Sequence, residues 1–432
     1  MAVLLPYMNF TDHEQFDWIL SYTILSIAVL ITGLFSFCRL RWLNKCRTSD
    51  LSPPPTPTTV LAATQCSFSG WWFRVVSMEM VLNYLRFKSK DSPIIPSPEK
   101  TLLPTLSQHE QAGLAYHPNS LPGGRWLQTP TGRIRVYEFG PEDGKRVLFV
   151  HGISTPSIVA RDLLTNLAAR GCRVMVFDLP GRGYSECCRV TPQDMRLYSA
   201  LIMMVTTSST APGGFLPFNI IGYSLGGGIT VSFASQFPHL VSSIAVVSSA
   251  GLLPYSFAPF GMKCSLIPWI PVWLADKLLT TKLKGEEESP IEVSLNEAAH
   301  TTATTRAIGI EPVDVFSVIR WQNRHQKGFM SGYVSSMRNG PIFDRVEEWT
   351  EVGRLLKSRR FANPSWDEKG PAQMLVVYGE KDDLTPPMLL DRIKGCVGED
   401  HVRAVVVEGG GHEVVVYQWD RVLQEVVDFW EL

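Results

Sequence analysis

The sequence predicts an α/β fold: a doubly wound, mostly parallel sheet with an inserted helical cap, preceded by one N-terminal transmembrane helix. Three observations carry this expectation. From about Gly132 onward, short apolar runs such as Val147–Val150 and Arg173–Phe177 alternate with segments of helical pattern, the signature of strands linked by crossover helices. Between Gly251 and roughly Pro371 the strand rhythm stops. Trp18 to Cys38 is a run of 21 residues without a charge.

A chain of 432 residues can bury a substantial core and hold one large α/β domain with additions. Its 40 Lys and Arg balance 41 Asp and Glu, leaving a formal net charge of −1. No basic run is dense enough for a polyanion, so no nucleic-acid partner is expected. The 8 cysteines, at 38, 46, 66, 172, 187, 188, 264 and 396, show no Cys-x-x-Cys and no spacing of a disulfide framework or zinc site. A reducing compartment, no metal and no cofactor are the simpler reading, and adjacent Cys187 and Cys188 read as two ordinary thiols on a loop. Nothing in the sequence specifies an oligomeric state.

The apolar run, residues 18–38, would span about 31 Å as a helix at 1.5 Å per residue, against a hydrocarbon core of about 30 Å. Residues 1–17 carry Asp12, Glu14 and Asp17 and no Lys or Arg, which disfavours a cleaved signal peptide or a mitochondrial presequence. Arg39, Arg41, Lys45 and Arg47 follow the run directly, so the positive-inside rule puts the C-terminal side in the cytosol, on the endoplasmic reticulum or another endomembrane. Asn9-Phe10-Thr11 is a glycosylation sequon on the opposite side, close to the span. Residues 39–68 form a basic flank and a stiff linker around Ser52-Pro53-Pro54-Pro55-Thr56-Pro57. Residues 69–129 are expected to be membrane-proximal or to pack on the catalytic domain. Within them Trp71 to Lys88 is apolar and aromatic with scattered charge, and either lies in the membrane interface or packs on that domain.

The core is expected in two parts, 130–250 and 371–432, around a helical cap at 251–370. Strands are read at Arg133–Phe139, Val147–Val150, Arg173–Phe177, Phe218–Ile221, Ser243–Ser248, Gln373–Tyr378 and Val402–Val407, and helices at Val159–Arg170, Leu225–Phe237 and Glu413–Leu432. In the cap, Phe257 to Leu279 is rich in apolar side chains including Trp269 and Trp273, and Pro268 and Pro271 break its helices. Such a lining suits an acyl chain, although much of it could equally be the cap's own core.

The chemistry centres on Gly222-Tyr223-Ser224-Leu225-Gly226, which follows an apolar strand and opens a helical segment. A Gly-x-Ser-x-Gly arises by accident in roughly one chain of this length in seven, so the strand-to-helix context carries the inference. A sharp turn there pushes Ser224 Oγ out of the sheet, and the glycines leave room for crowded backbone. A serine nucleophile needs a base, the base an orienting acid, and the oxyanion its donors. His412 ends the final strand in Gly409-Gly410-Gly411-His412, and Asp382 lies after the preceding strand in Gly379-Glu380-Lys381-Asp382 with Pro386 downstream. Asp382 is preferred to Asp383 because it alone fits Gly-x-x-Asp-x-x-x-Pro. His401 precedes its strand and faces the opposite sheet edge. Oxyanion donors are expected from the backbone N–H groups of Leu225 and Ile153, with His151 bracing its loop.

These residues together resemble the α/β-hydrolase superfamily over about residues 130–432, through His151-Gly152, Gly181-Arg182-Gly183-Tyr184-Ser185, the Ser224 turn, the Asp382 loop and Gly411-His412. The chain is similar to membrane-tethered, monoacylglycerol-lipase-like and serine-aminopeptidase-like members, and its insertion looks like that of fungal members. The resemblance implies a serine hydrolase cleaving a carboxylic ester of a lipid or apolar acyl compound, with Ser224, Asp382 and His412 catalytic. Epoxide hydrolases and haloalkane dehalogenases place Asp where this chain has Ser224. A His-x-x-x-x-Asp acyltransferase pattern is not met, because Tyr417 stands five residues past His412. An amide or thioester hydrolase, and a non-catalytic ligand-binding or scaffold protein on the same fold, remain the alternatives.

Overall fold

Why the sheet forms where it does is plain from its strands. In the central strands, such as residues 147–150, 218–223, 244–247 and 374–378, apolar residues run almost continuously, as expected for strands covered on both faces. The computed structural model describes residues 92–257, 313–358 and 372–432. The chain divides into units Met1–Met78 and Glu79–Leu432, and every described residue lies in the second. The expected transmembrane helix at 18–38, the linker, the segment 71–88 and the cap run from Ala258 through Leu279 all lie outside the described residues. Among the described residues no helix is long and apolar enough to cross a membrane.

The strands are β1 Ile94–Ile95, β2 Gly124–Thr129, β3 Gly132–Phe139, β4 Lys145–Val150, β5 Cys172–Phe177, β6 Cys187–Cys188, β7 Phe218–Tyr223, β8 Val241–Val247, β9 Met374–Gly379 and β10 Val402–Val407. Eight of them form one sheet in the order β10-β9-β8-β7-β4-β5-β3-β2. The pairs from β10 to β5 are parallel, while β3 joins β5 and β2 joins β3 antiparallel. Helices are α1 Pro98–Thr101, α2 Gln108–Ala112, α3 Arg161–Ala169, α4 Met195–Thr207, α5 Leu225–Gln236, α6 Val315–His325, α7 Phe329–Asn339, α8 Val346–Lys357, α9 Leu389–Val397, α10 Val414–Tyr417 and α11 Trp419–Trp430.

Alternate residues of each strand feed two cores, as the two-residue strand period requires. Leu148, Ile220, Val246 and Val376 point to the face covered by α4, α5, α8 and α9. Phe149, Ile221, Ala245 and Val377 point to the face covered by α3, α10 and α11. After β4 the chain moves to β5 on one side and then to β7 on the other. The crevice beyond the carboxyl ends of β4 and β7 is therefore the place where such sheets bind ligands.

Four readings are corrected. The sheet begins at Gly124 rather than near 130, because β2 pairs with β3 from Gly124↔Tyr137 to Thr129↔Gly132. As an edge strand it is only half buried, and Trp126 lies under the guanidinium groups of Arg133 and Arg135, at 4.6 and 5.1 Å, so it lacks a clean apolar alternation. The described residues ahead of it also pack on the sheet domain, with Tyr116 fully buried. Cys187 and Cys188 form β6, paired antiparallel with Ile94 and Ile95, and not a loop. The single terminal helix is broken at Gln418, whose φ of −129° and ψ of 35° leave the helical range, and whose side-chain amide donates to Glu408 O at 3.1 Å.

The fourth concerns the cap. α6 and α7 belong to the insertion, but α8 is the crossover helix between parallel β8 and β9, and Trp349, Val352, Leu355 and Leu356 lie in the sheet's core. The cap therefore ends near Pro341 rather than at 370. α8 crosses α9 so closely that a methyl on Gly353 would come within 2.3 Å of Val397 O. Gly353→Ala is thus expected to destabilise the fold by about 1–3 kcal/mol through overpacking, leaving activity per folded molecule unchanged. An unaltered melting temperature would contradict this packing of α8.

Candidate active site

The turn between β7 and α5 holds Ser224 at φ 55°, ψ −119°, a conformation that L residues adopt only where the surroundings impose it. The surroundings do so here. Ser224 N donates to Val247 O at 3.1 Å, and Ala250 N and Gly227 N both donate to Ser224 O at 2.9 Å. The flanking glycines are obligatory: a Cβ on Gly222 would sit 2.4 Å from Gly226 O, and one on Gly226 only 2.0 Å from Val150 O. The result is a serine at the carboxyl edge of the sheet that is 9% exposed.

The loops after β9 and β10 bring the other two expected residues to it. His412 Nε2 lies 3.1 Å from Ser224 Oγ, and His412 Nδ1 lies 3.0 and 3.1 Å from the two Asp382 oxygens. Asp382 is 1% exposed and also accepts from Leu384 N at 3.0 Å, Thr385 N at 2.7 Å and Thr385 Oγ1 at 2.7 Å. Burial alone would raise this carboxyl, but the His412 charge and these hydrogen bonds outweigh it and hold it below the usual carboxylate range. For His412, burial acts downward, yet the Asp382 charge and hydrogen bond push the imidazole up to about 9. Asp383 is exposed beside this cluster. His401 stands at the other end of β10, its Nδ1 2.8 Å from Ala372 O.

The expected oxyanion donors flank the serine. Leu225 opens α5 directly after it and is buried. Ile153 lies in the loop after β4, which presses on the nucleophile so closely that a Cβ on Gly152 would come within 3.2 Å of Ser224 Cβ. His151 braces this loop, as expected: Leu179 N donates to its Nε2 at 2.8 Å, and its Nδ1 is 2.8 Å from Gly152 O.

Two neighbours escaped the sequence reading. Thr385 holds Asp382 and also reaches His412 Nδ1 at 3.2 Å; its place inside the Asp382-to-Pro386 loop was the available signal. Glu413 is 4% exposed next to His412 and leaves Oε2 without a hydrogen-bond partner. Burial pushes its carboxyl up to about 7 against the opposing pull of His412. A carboxylate after a histidine looks like any solvated loop residue in sequence, so only the fold reveals it. Among the described residues no group of His, Cys, Asp and Glu is placed to hold a metal ion.

The chain is similar to known proteins over part of its length. A stretch of 133 residues is 29% identical to a serine hydrolase-like protein of Danio rerio, covering 30% of this chain and 38% of that protein. A stretch of 109 residues is 30% identical to an uncharacterized protein of Mycobacterium bovis, covering 25% of this chain and 30% of that one. The match thus spans well under half the length of these relatives. The crystal structure of the enol-lactonase from Burkholderia xenovorans superposes with a TM-score of 0.50 at 12% identity, over 71% of this chain and 100% of that one. The family model described as the alpha/beta hydrolase fold matches residues 145–417, from the start of β4 through α10, and the chain belongs to that family.

Proposed function

We propose that this protein is a membrane-anchored serine hydrolase that cleaves a carboxylic ester of a lipid or other apolar acyl compound through an acyl-enzyme. The observation that carries the reading is the continuous relay from Ser224 Oγ through His412 to Asp382, at 3.1 and 3.0 Å. His412 Nε2 takes the hydroxyl proton as Ser224 attacks the ester carbonyl, and the backbone N–H groups of Ile153 and Leu225 receive the developing oxyanion. His412 then gives its proton to the leaving alkoxide, and the acyl group stays on Ser224. Water, activated by the same imidazole, releases the acid and restores the serine. Asp382 keeps the proton of neutral His412 on Nδ1, so that Nε2 is the free base.

A strained, fully hydrogen-bonded nucleophile turn favours catalysis over simple ligand binding, because strain of this kind persists where function uses it. Turnover separates the two readings. A full-length preparation in detergent, offered a chain-length series of p-nitrophenyl esters and a monoacylglycerol, is expected to release product with saturation kinetics. Uptake of these compounds without product release would support a binding protein instead.

The anchor is proposed from the uncharged run 18–38 and the four basic residues just after it. This arrangement puts the hydrolase domain in the cytosol on an endomembrane. Protease treatment of sealed microsomes carrying a C-terminal tag is expected to remove the tag without detergent. A protected tag would put the domain in the lumen.

A further inference from the structure

Three consecutive carbonyls of the loop after β4 are each taken by a different side chain. His151 Nδ1–H donates to Gly152 O at 2.8 Å, Arg182 Nε–H to Ile153 O at 2.9 Å and Gln322 Nε2–H to Ser154 O at 2.8 Å. The histidine tautomer follows from its other nitrogen: Leu179 N–H donates to Nε2, so the single proton of the neutral ring is on Nδ1. In a trans peptide the carbonyl and the next N–H point in opposite directions. His151 therefore sets the Ile153 N–H through Gly152 O, while Arg182 and Gln322 fix the next two peptide planes, through Ile153 O and Ser154 O, and so hold the loop in which that N–H sits.

Two of the three donors tie this loop to the cap. Arg182 is fully buried, and among the described residues no carboxylate lies within ion-pair distance of it. Its remaining donors go to Pro180 O at 2.8 Å, to Gln193 Oε1, and to Ser336 Oγ on α7 at 2.7 Å. Gln322 is on α6, and its Oε1 accepts from Gly183 N at 2.7 Å. A buried guanidinium held only by neutral acceptors is a costly way to fill space. It is well suited to hold several carbonyls in one fixed geometry.

We propose that Arg182 and Gln322 are positioning residues that orient the oxyanion loop through their contacts with cap helices α6 and α7, so that seating of the cap sets transition-state stabilisation at Ser224. This inference rests on the serine-hydrolase reading. It requires that loss of either clamp misaligns the oxyanion donors without touching the nucleophile or its base.

The test compares full-length wild type with Arg182→Lys, Gln322→Leu and the milder Ser336→Ala. Each is assayed for p-nitrophenyl butyrate hydrolysis and for inhibition by phenylboronic acid, whose tetrahedral serine adduct places an oxygen in the oxyanion site. Removing an oxyanion donor outright costs about 10²–10³ in kcat. Misaligning one is expected to cost about 10–100-fold for the first two variants and several-fold for Ser336→Ala, which stays informative if a larger change prevents folding. KM should hold while the boronate inhibition constant rises by the same factor as kcat falls. Folded variants whose kcat and boronate affinity match wild type, with only the melting temperature lowered, would overturn the proposal and leave these groups a structural role. A wild type that neither turns over the ester nor binds the boronate would overturn the underlying reading itself.

Discussion

Ser224→Ala is expected to abolish ester turnover, by about 10⁴–10⁶-fold, while the protein still folds. The size follows from the reaction: without the hydroxyl no acyl-enzyme can form, and only the background rate of water attack remains. The fold should survive because the hydroxyl's hydrogen bond goes to His412 alone among the described residues, whereas the strained turn is held by backbone bonds from Gly227 and Ala250 and to Val247. Alanine at φ 55° is no better tolerated than serine, so relief or addition of strain is small. Activity per folded molecule, with the melting temperature measured alongside, decides the matter. Retention of wild-type turnover would mean that another nucleophile does the work.

Asp382→Asn should lower kcat by about 10⁴ and also move the pH dependence. An amide presents an N–H to His412 Nδ1 in place of an acceptor, which favours the tautomer with its proton on Nε2 and disables the base. The sign of the pH effect follows from charge. His412 must be neutral to accept the serine proton, so kcat/KM rises as pH passes the imidazole's pKa. In the wild type Asp382 raises that value above the ordinary 6.5, toward about 9. The acidic limb should therefore lie on the alkaline side of an unperturbed histidine, and in Asp382→Asn the residual activity should show the limb at lower pH. A limb that stays put or moves upward would show that Asp382 does not face the essential base.

How much of this was legible in the sequence depended on where each residue sits. Parallel strands covered on both sides are continuous apolar runs, so β4, β5, β7, β8 and β9 could be read to within about two residues; β10, a half-exposed edge strand, still carries the β-branched run Val405-Val406-Val407 and was expected and observed at Val402–Val407. β2 was missed because an edge strand with one half-wet face carries no such run. α8 was assigned to the cap because an amphipathic helix has the same pattern whether it packs on a cap or a sheet, and only Trp349 beneath it reveals the difference. Ser224, Asp382 and His412 were legible because each follows a strand in a loop of distinctive glycines. Arg182 and Gln322 were not read as clamps, since their partners, Ile153 and Ser154, are 29 and 168 residues away.

The relay from Ser224 to Asp382 is the central claim, and a fluorophosphonate probe tests it most directly, because only a serine activated by its base reacts. Full-length protein labelled with the probe, digested and mapped by mass spectrometry should carry one phosphonyl adduct, on the peptide containing Ser224. His412→Ala should lose that adduct while remaining folded. Absence of any adduct on folded wild-type protein, or an adduct on a different serine, would contradict the account.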